Sequence, residues 1–295
     1  MIRARSARLV ATFDLLESLR SRKAIALLLL YLAGALGGSA LFIRLLHAIQ
    51  DRLRDQYGEA ATVEALMESP AMARMATELA GDAETAAAIV AIPPLALFYG
   101  WLATNFVPLL VLFTSSDAIS GDLASGSVRY SLFRVDRASW VVGKLIGQTS
   151  LMALGVVVGA LGCWLMGVIW LDDMPVGASA WWLLRIGGRS IIYGFAYLGV
   201  ALCASQLTRT NARARALALL MMFCCSLGGG LLQLEPVEKL APSVMGALQK
   251  LFPNGHSLAL WHPGWFERGT AFAALIAIGL AYFALGFWRF SRRDA

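Results

Sequence analysis

The residues able to do covalent or metal chemistry are few. The histidines are His47, His256 and His262, and no H-E-x-x-H occurs. His256 and His262 are separated by five residues in a stretch rich in Pro and Gly, a poor frame for one metal ion. Cys163, Cys203, Cys224 and Cys225 lie in apolar runs without CxxC spacing. They read as small hydrophobes packed between helices, with no redox or zinc role. Met67, Met72 and Met75 would suit a soft metal, but their Ala- and Glu-rich surroundings read as apolar contacts of a short helix. Nucleotide chemistry has no motif either. No G-x-x-x-x-G-K-[ST] is present, Gly143-Lys144 is followed by Leu145, and Ala138 stands where the leading glycine would be.

What remains is charge pairing and hydrogen bonding, concentrated in 115–144, SSDAISGDLASGSVRYSLFRVDRASWVVGK. A passive connector needs only a few residues; this one has about 30. Gly121 and Gly126 break its helical potential and permit tight bends or close approach. Asp117 and Asp122 either cap helix ends or pair with basic groups of a partner. Arg129, Arg134 and Arg137 pair with a partner's acids or rest on an anionic lipid surface.

The elements around this segment are those of a membrane. The 295 residues are 58% hydrophobic and 15% charged, where soluble domains carry about 25% charged. A disordered chain, a disulfide-stapled domain and an ordinary soluble enzyme are excluded. Six charge-free intervals predict an all-α polytopic protein, one transmembrane domain over 1–295. The spans fall near 24–44, 93–116, 145–171, 190–208, 216–234 and 269–289, with Pro93 and Pro94 separating a short outer piece from the second. Sixteen basic residues fall on one side of these spans and six on the other. Both termini and 115–144 are therefore expected in the cytoplasm. Membrane topology also accounts for the net charge of +6, so no nucleic-acid partner is inferred.

Three further segments stand out. In residues 3–22, Leu9, Val10, Phe13, Leu16 and Leu19 recur at helical spacing among charges, as in an amphipathic helix lying in the interface; a basic tail without fixed structure is the alternative. The external connection 45–84 carries eight acids and has helical composition, with Ser69-Pro70 as cap and first-turn proline. Residues 235–268 are expected outside or re-entrant, with Trp261 and Trp265 at headgroup depth. Gly34 and Gly38, Gly143 and Gly147, and Gly155 and Gly159 have GxxxG spacing, for packing within one subunit or across a dimer. Thr104, Asn105, Gln148, Ser205 and Gln206 are polar residues within spans, either interhelical glue or functional. Arg185 and Arg189 share a face beside Trp181 and Trp182, either snorkelling or meeting an anionic lipid or substrate.

The segment resembles the type-two (ABC-2) family of ABC transporter permeases, close to its NosY-like branch. The resemblance rests on Asp117, Ile119, Ser120, Gly121, Asp122, Ser125, Gly126, Ser127, Arg129, Leu132, Arg137 and Gly143-Lys144. The family pattern is approximately D-x-I-S-x-E-x-x-x-G-T, a leucine-containing half turn, a proline-containing basic bend, and G-K opening the next span. Asp122 stands for the glutamate and Ser127 for the threonine, while Val135-Asp136-Arg137 replaces the proline bend. The resemblance implies a coupling helix between spans two and three, formed by Asp117, Ile119, Ser120, Gly121, Asp122, Gly126, Ser127 and Arg129, that rests on a separate cytoplasmic ABC ATPase present in two copies. It implies ATP and Mg2+ bound by that ATPase and no cofactor in this chain. It also implies a second permease copy, a homodimer in the bacterial inner membrane, and an exporter that is not itself an enzyme. A secondary carrier or channel is the main rival, yet no span has a central Asp, Glu or Lys. A membrane hydrolase is the other.

Overall fold

A computed structural model describes residues 3–58, 69–171, 174–231 and 248–292. Met67, the acids Glu59, Glu64 and Glu68, the end of the 216–234 span and residues 235–247 fall outside these. The described residues form eleven α-helices and two 3-10 turns, with no strand among them. They are α1 (Ala4–Arg20), α2 (Arg22–Tyr57), α3 (Pro70–Ala80), α4 (Ala83–Val90), α5 (Pro94–Ser115), α6 (Ser120–Ser125), α7 (Ser127–Leu132), α8 (Arg137–Trp170), α9 (Val176–Leu207), α10 (Asn211–Leu231) and α11 (Trp265–Ser291). The 3-10 turns are Pro253–His256 and Ala259–Trp261.

Among the described residues, five helices are long and apolar enough to cross a membrane: α2, α5, α8, α9 and α11. The sixth expected span starts in α10, whose first turns carry Arg213 and Arg215. In lipid a helix satisfies its backbone within one segment, which suits each long apolar interval. Local signals set the ends. Ser21 caps α2, its hydroxyl accepting from the Ala24 amide at 3.1 Å, and its extended backbone turns α1 away from the α2 axis. Pro94 occupies the first turn of α5, where its missing N–H costs nothing.

Helix α9 is central, packed against α5, α8, α10 and α11. Its contact with α11 is made through small residues: a side chain on Gly199 would strike the Gly279 carbonyl, and one on Gly286 would lie 2.9 Å from the Cys203 Cα. Glycines also settle where the GxxxG pairs pack. Gly143 and Gly147 receive α1, while Gly155 and Gly159 receive Leu28 and Tyr31 of α2 and Leu110 and Tyr99 of α5. Gly34 has nothing within 4 Å and faces outward. On α1, Ala7, Ala11 and Asp14 are buried, and Leu9, Phe13 and Leu16 point away. The helix therefore docks by its small face and leaves its apolar stripe open.

Helices α2, α5, α8, α9 and α10 hold polar residues together at one end of the bundle. Lys23, Asp117, Lys144, Ser205 and Arg215 gather at what we call the base.

Candidate functional site

The base is built by two charge hubs. Asp117, between α5 and α6, accepts from Lys23 of α2 at 2.7 Å and from Arg215 of α10 at 2.6 Å. Burial alone would push the Asp117 carboxyl up; the hydrogen bonds and charges of Lys23 and Arg215 outweigh it and hold it below the ordinary 3.8. Lys144 of α8 is the second hub. It meets Asp14 of α1 at 2.6 Å and Asp122 of α6 at 2.7 Å. Gln148, one turn further along α8, donates to Asp14 at 2.8 Å and accepts from Ser115 of α5 at 2.9 Å. Asp14, Lys23, Asp117, Asp122, Lys144 and Gln148 line a polar cleft of about 260 Å3 that Asn211 also borders.

Hydrogen bonds fix the elbow's backbone to α9. The Ser205 hydroxyl accepts from the amides of Ile119 and Ser120, each at 3.0 Å. This ties the start of α6 to the central helix, and both Ile119 and Ser120 are fully buried. Gly126 then turns the chain with φ +75°, a region glycine enters without steric cost. The Ser127 hydroxyl donates to the Asp122 carboxylate at 3.2 Å, bracing α7 against α6.

Several details depart from the sequence reading. One coupling helix was expected; two short helices stand there, broken at Gly126. Gly121 is no break. It lies inside α6, and an added methyl would meet only Asn211, at 3.6 Å. The carboxylates of Asp117 and Asp122 neither cap a helix nor stay free for a partner, because bases of this same chain hold them. Gly143-Lys144 does not open the helix, which starts two turns earlier at Arg137. The proline-less bend ends on Asp136, whose carboxylate accepts from the Ser139 amide at 2.9 Å and caps α8. That bond holds the Asp136 carboxyl below its ordinary value.

The outward face of the elbow is different in kind. Tyr130 is 79% and Phe133 87% exposed, flanked by Arg129 and Arg134. Arg129 also borders a cleft of about 400 Å3 lined by Leu123, Gly126, Val128 and Arg209. Of the eight anticipated residues, Arg129 alone lies fully on this face. Asp117, Ile119, Ser120 and Asp122 brace it from within, and Gly126 and Ser127 make its turn. Sequence reasoning missed Asp14, Tyr130 and Phe133, and named Lys144 only within the Gly143-Lys144 pair that carries the resemblance. Asp14 had one signal, its place on the same helical face as Ala7 and Ala11.

A bundle of apolar helices with a braced polar elbow at one end defines an integral membrane protein. Residues 8–295 match the ABC-2 family transporter proteins, and the chain belongs to that family. It is a membrane transporter subunit and not itself an enzyme. It is also similar to the "Probable ABC transporter permease protein NosY" of Stutzerimonas stutzeri, at 29% identity over 124 residues. That similarity spans 41% of this chain and 45% of the relative, so less than half of either is covered.

Proposed function

We propose that this chain is the permease subunit of an ATP-driven exporter in a bacterial inner membrane, with both termini and the base in the cytoplasm. A separate ATPase, present in two copies and holding ATP and Mg2+, docks on the face formed by Tyr130, Phe133, Arg129 and Arg134. A second permease copy completes the complex.

The observation that carries the reading is the internal fastening of the elbow. A lever that transmits a rigid-body motion must move with the helices behind it. Lys23, Arg215 and Ser205 link the elbow to α2, α10 and α9, and Lys144 links it to α1 and α8. Its exposed aromatics suit the anchor role that Tyr and Phe take at protein interfaces, and the arginines suit its rim.

The test is co-purification with the partner ABC ATPase, sought first among the genes adjacent to that of the permease. Tyr130→Ala with Phe133→Ala is expected to cut retained ATPase at least tenfold while the permease stays monodisperse. Deleting 117–129, or reversing Asp117 and Asp122 to Lys, is expected to abolish stimulated ATP hydrolysis. Wild-type retention and stimulation in all of these would sink the assignment.

A further inference from the structure

At the end of the bundle away from the base, three arginines stand together. Gly199 faces Gly279 and Cys203 faces Gly286, so α9 and α11 run parallel in fixed register. Arg189 precedes Gly199 by ten residues and Arg268 precedes Gly279 by eleven. The two therefore lie at one level on adjacent helices, with Arg185 one turn above Arg189. The charges acting on Arg189 are those of Arg185 and Arg268. Both Arg189 and Arg268 are 7% exposed. Sixteen residues separate Arg189 from Ser205, roughly 24 Å of helix, which puts it near the far margin of a hydrocarbon core about 30 Å thick.

Among the described residues, no carboxylate lies within ion-pair distance of any of the three. Acids of this neighbourhood, Glu84 and Glu267, are exposed and lie against His262 at 4.0 and 3.7 Å, and exposed Asp82 faces the same histidine. What the arginines have is aromatic. Trp182 lies under Arg185 at 5.1 Å, Trp261 under Arg189 at 5.2 Å and Trp265 under Arg268 at 4.5 Å. Ring faces attract cations but do not neutralise them. Like charges sunk together at this depth are costly and mark a binding site by default.

The neighbouring space supplies the other half of a ligand. Trp261 also borders an apolar groove of about 670 Å3 between α2 and α5, with Phe42, Leu97, Phe98 and Trp101. One indole thus has a guanidinium near its face and a hydrocarbon-lined groove beside it.

We propose that Arg185, Arg189 and Arg268 bind the phosphate group of an amphipathic molecule whose apolar tail lies in the groove beside Trp261. Guanidinium forks match phosphate oxygens two at a time, and several forks suit a group with three or four oxygens. The occupant is either an anionic phospholipid of the membrane or a diffusible amphiphile with the same headgroup chemistry. The site lies far from the elbow and stands whether or not an ATPase docks there.

The test is native mass spectrometry of the full-length protein in a neutral maltoside detergent. The probes are phosphatidylglycerol, phosphatidylcholine and dodecyl phosphate. Phosphatidylglycerol or dodecyl phosphate is expected to be retained at least tenfold better than phosphatidylcholine. Arg189→Gln and Arg268→Gln are each expected to abolish that preference. Preference for phosphatidylglycerol alone assigns the site to a lipid headgroup, and dodecyl phosphate binding assigns it to a diffusible amphiphile. Should a glutamine variant fail to fold, Arg189→Lys keeps the charge without the fork and is expected to weaken the preference severalfold, as is the half-buried Arg185→Gln. Equal retention of all three probes, or a preference unchanged in the variants, overturns the proposal.

Discussion

Lys144 is a basic residue beside an apolar span, and counting charges makes it a marker of orientation. The fold makes it a hub. Its side chain is 7% exposed and shared by Asp14 and Asp122, of which Asp14 is 5% exposed. Removing one member of such a cluster leaves buried charge uncompensated, which costs about 3–5 kcal/mol. Lys144→Met is therefore expected to lower the thermal unfolding temperature in detergent more than any substitution at exposed Arg134. Adding Asp14→Asn to Lys144→Met removes the stranded charge and is expected to recover part of the loss. A double variant less stable than the sum of the singles would show that the pair is not the source. Asp117 fixes a pH window. Its carboxyl is held below 3.8 in the fold, so its stabilisation is fully present above that value and fades only as pH falls through its lower, folded value. Lowering the pH from 7 to 5 is expected to leave the Asp117 links intact, read as an unchanged melting temperature difference between wild type and Asp117→Asn.

At the level of elements, small residues decide which helices can meet. Gly143 and Gly147 lie beneath α1; a Cβ at Gly143 would come within 2.6 Å of the Val10 Cβ, and one at Gly147 within 2.6 Å of the Asp14 carboxylate. Gly143→Val is expected to lift α1 from α8 at a cost of about 1–3 kcal/mol. Limited trypsin digestion reads this, because Arg5 and Arg8 are exposed but held in helix, and cleavage there is expected to quicken when α1 loses its seat and frays. Gly177→Val, with open space at its Cβ, is the matched control and is expected to leave digestion unchanged; equal digestion of both variants would separate α1 docking from Gly143. The long elements themselves were legible because lipid admits one solution for a long apolar run. The charge hubs were not. Asp14 and Lys144 are 130 residues apart, and no local pattern announces a pairing of that span. The outward Tyr130 and Phe133 were hidden for the opposite reason: aromatics read as buried until a fold leaves them exposed.

For the whole molecule, the second copy proposed above needs a face to cover. The residues of α2 that point away from the bundle include Leu30 and Leu41, 68% and 71% exposed. Between α2 and α5 runs a shallow apolar groove of about 360 Å3, bordered by Leu30, Gly34, Phe106 and Phe113. Lipid tails solvate leucines as well as another helix does, so exposed apolar surface alone selects no partner. Small residues do, because they let backbones approach closely, and Gly34 and Gly37 both have nothing within 4 Å. On α8, by contrast, Gly155, Gly159 and Gly162 are already filled by side chains of the same copy. In a two-fold dimer the residues nearest the axis face their own counterparts, and a disulfide needs Cα atoms about 4.4–6.8 Å apart. Gly34→Cys on a Cys224→Ser background is therefore expected to give an oxidised dimer in membranes, and Leu161→Cys on the outward side of α8 is expected to stay monomeric. Crosslinking at position 161 but not at 34 would move the interface to α8 and leave the α2 glycines facing lipid.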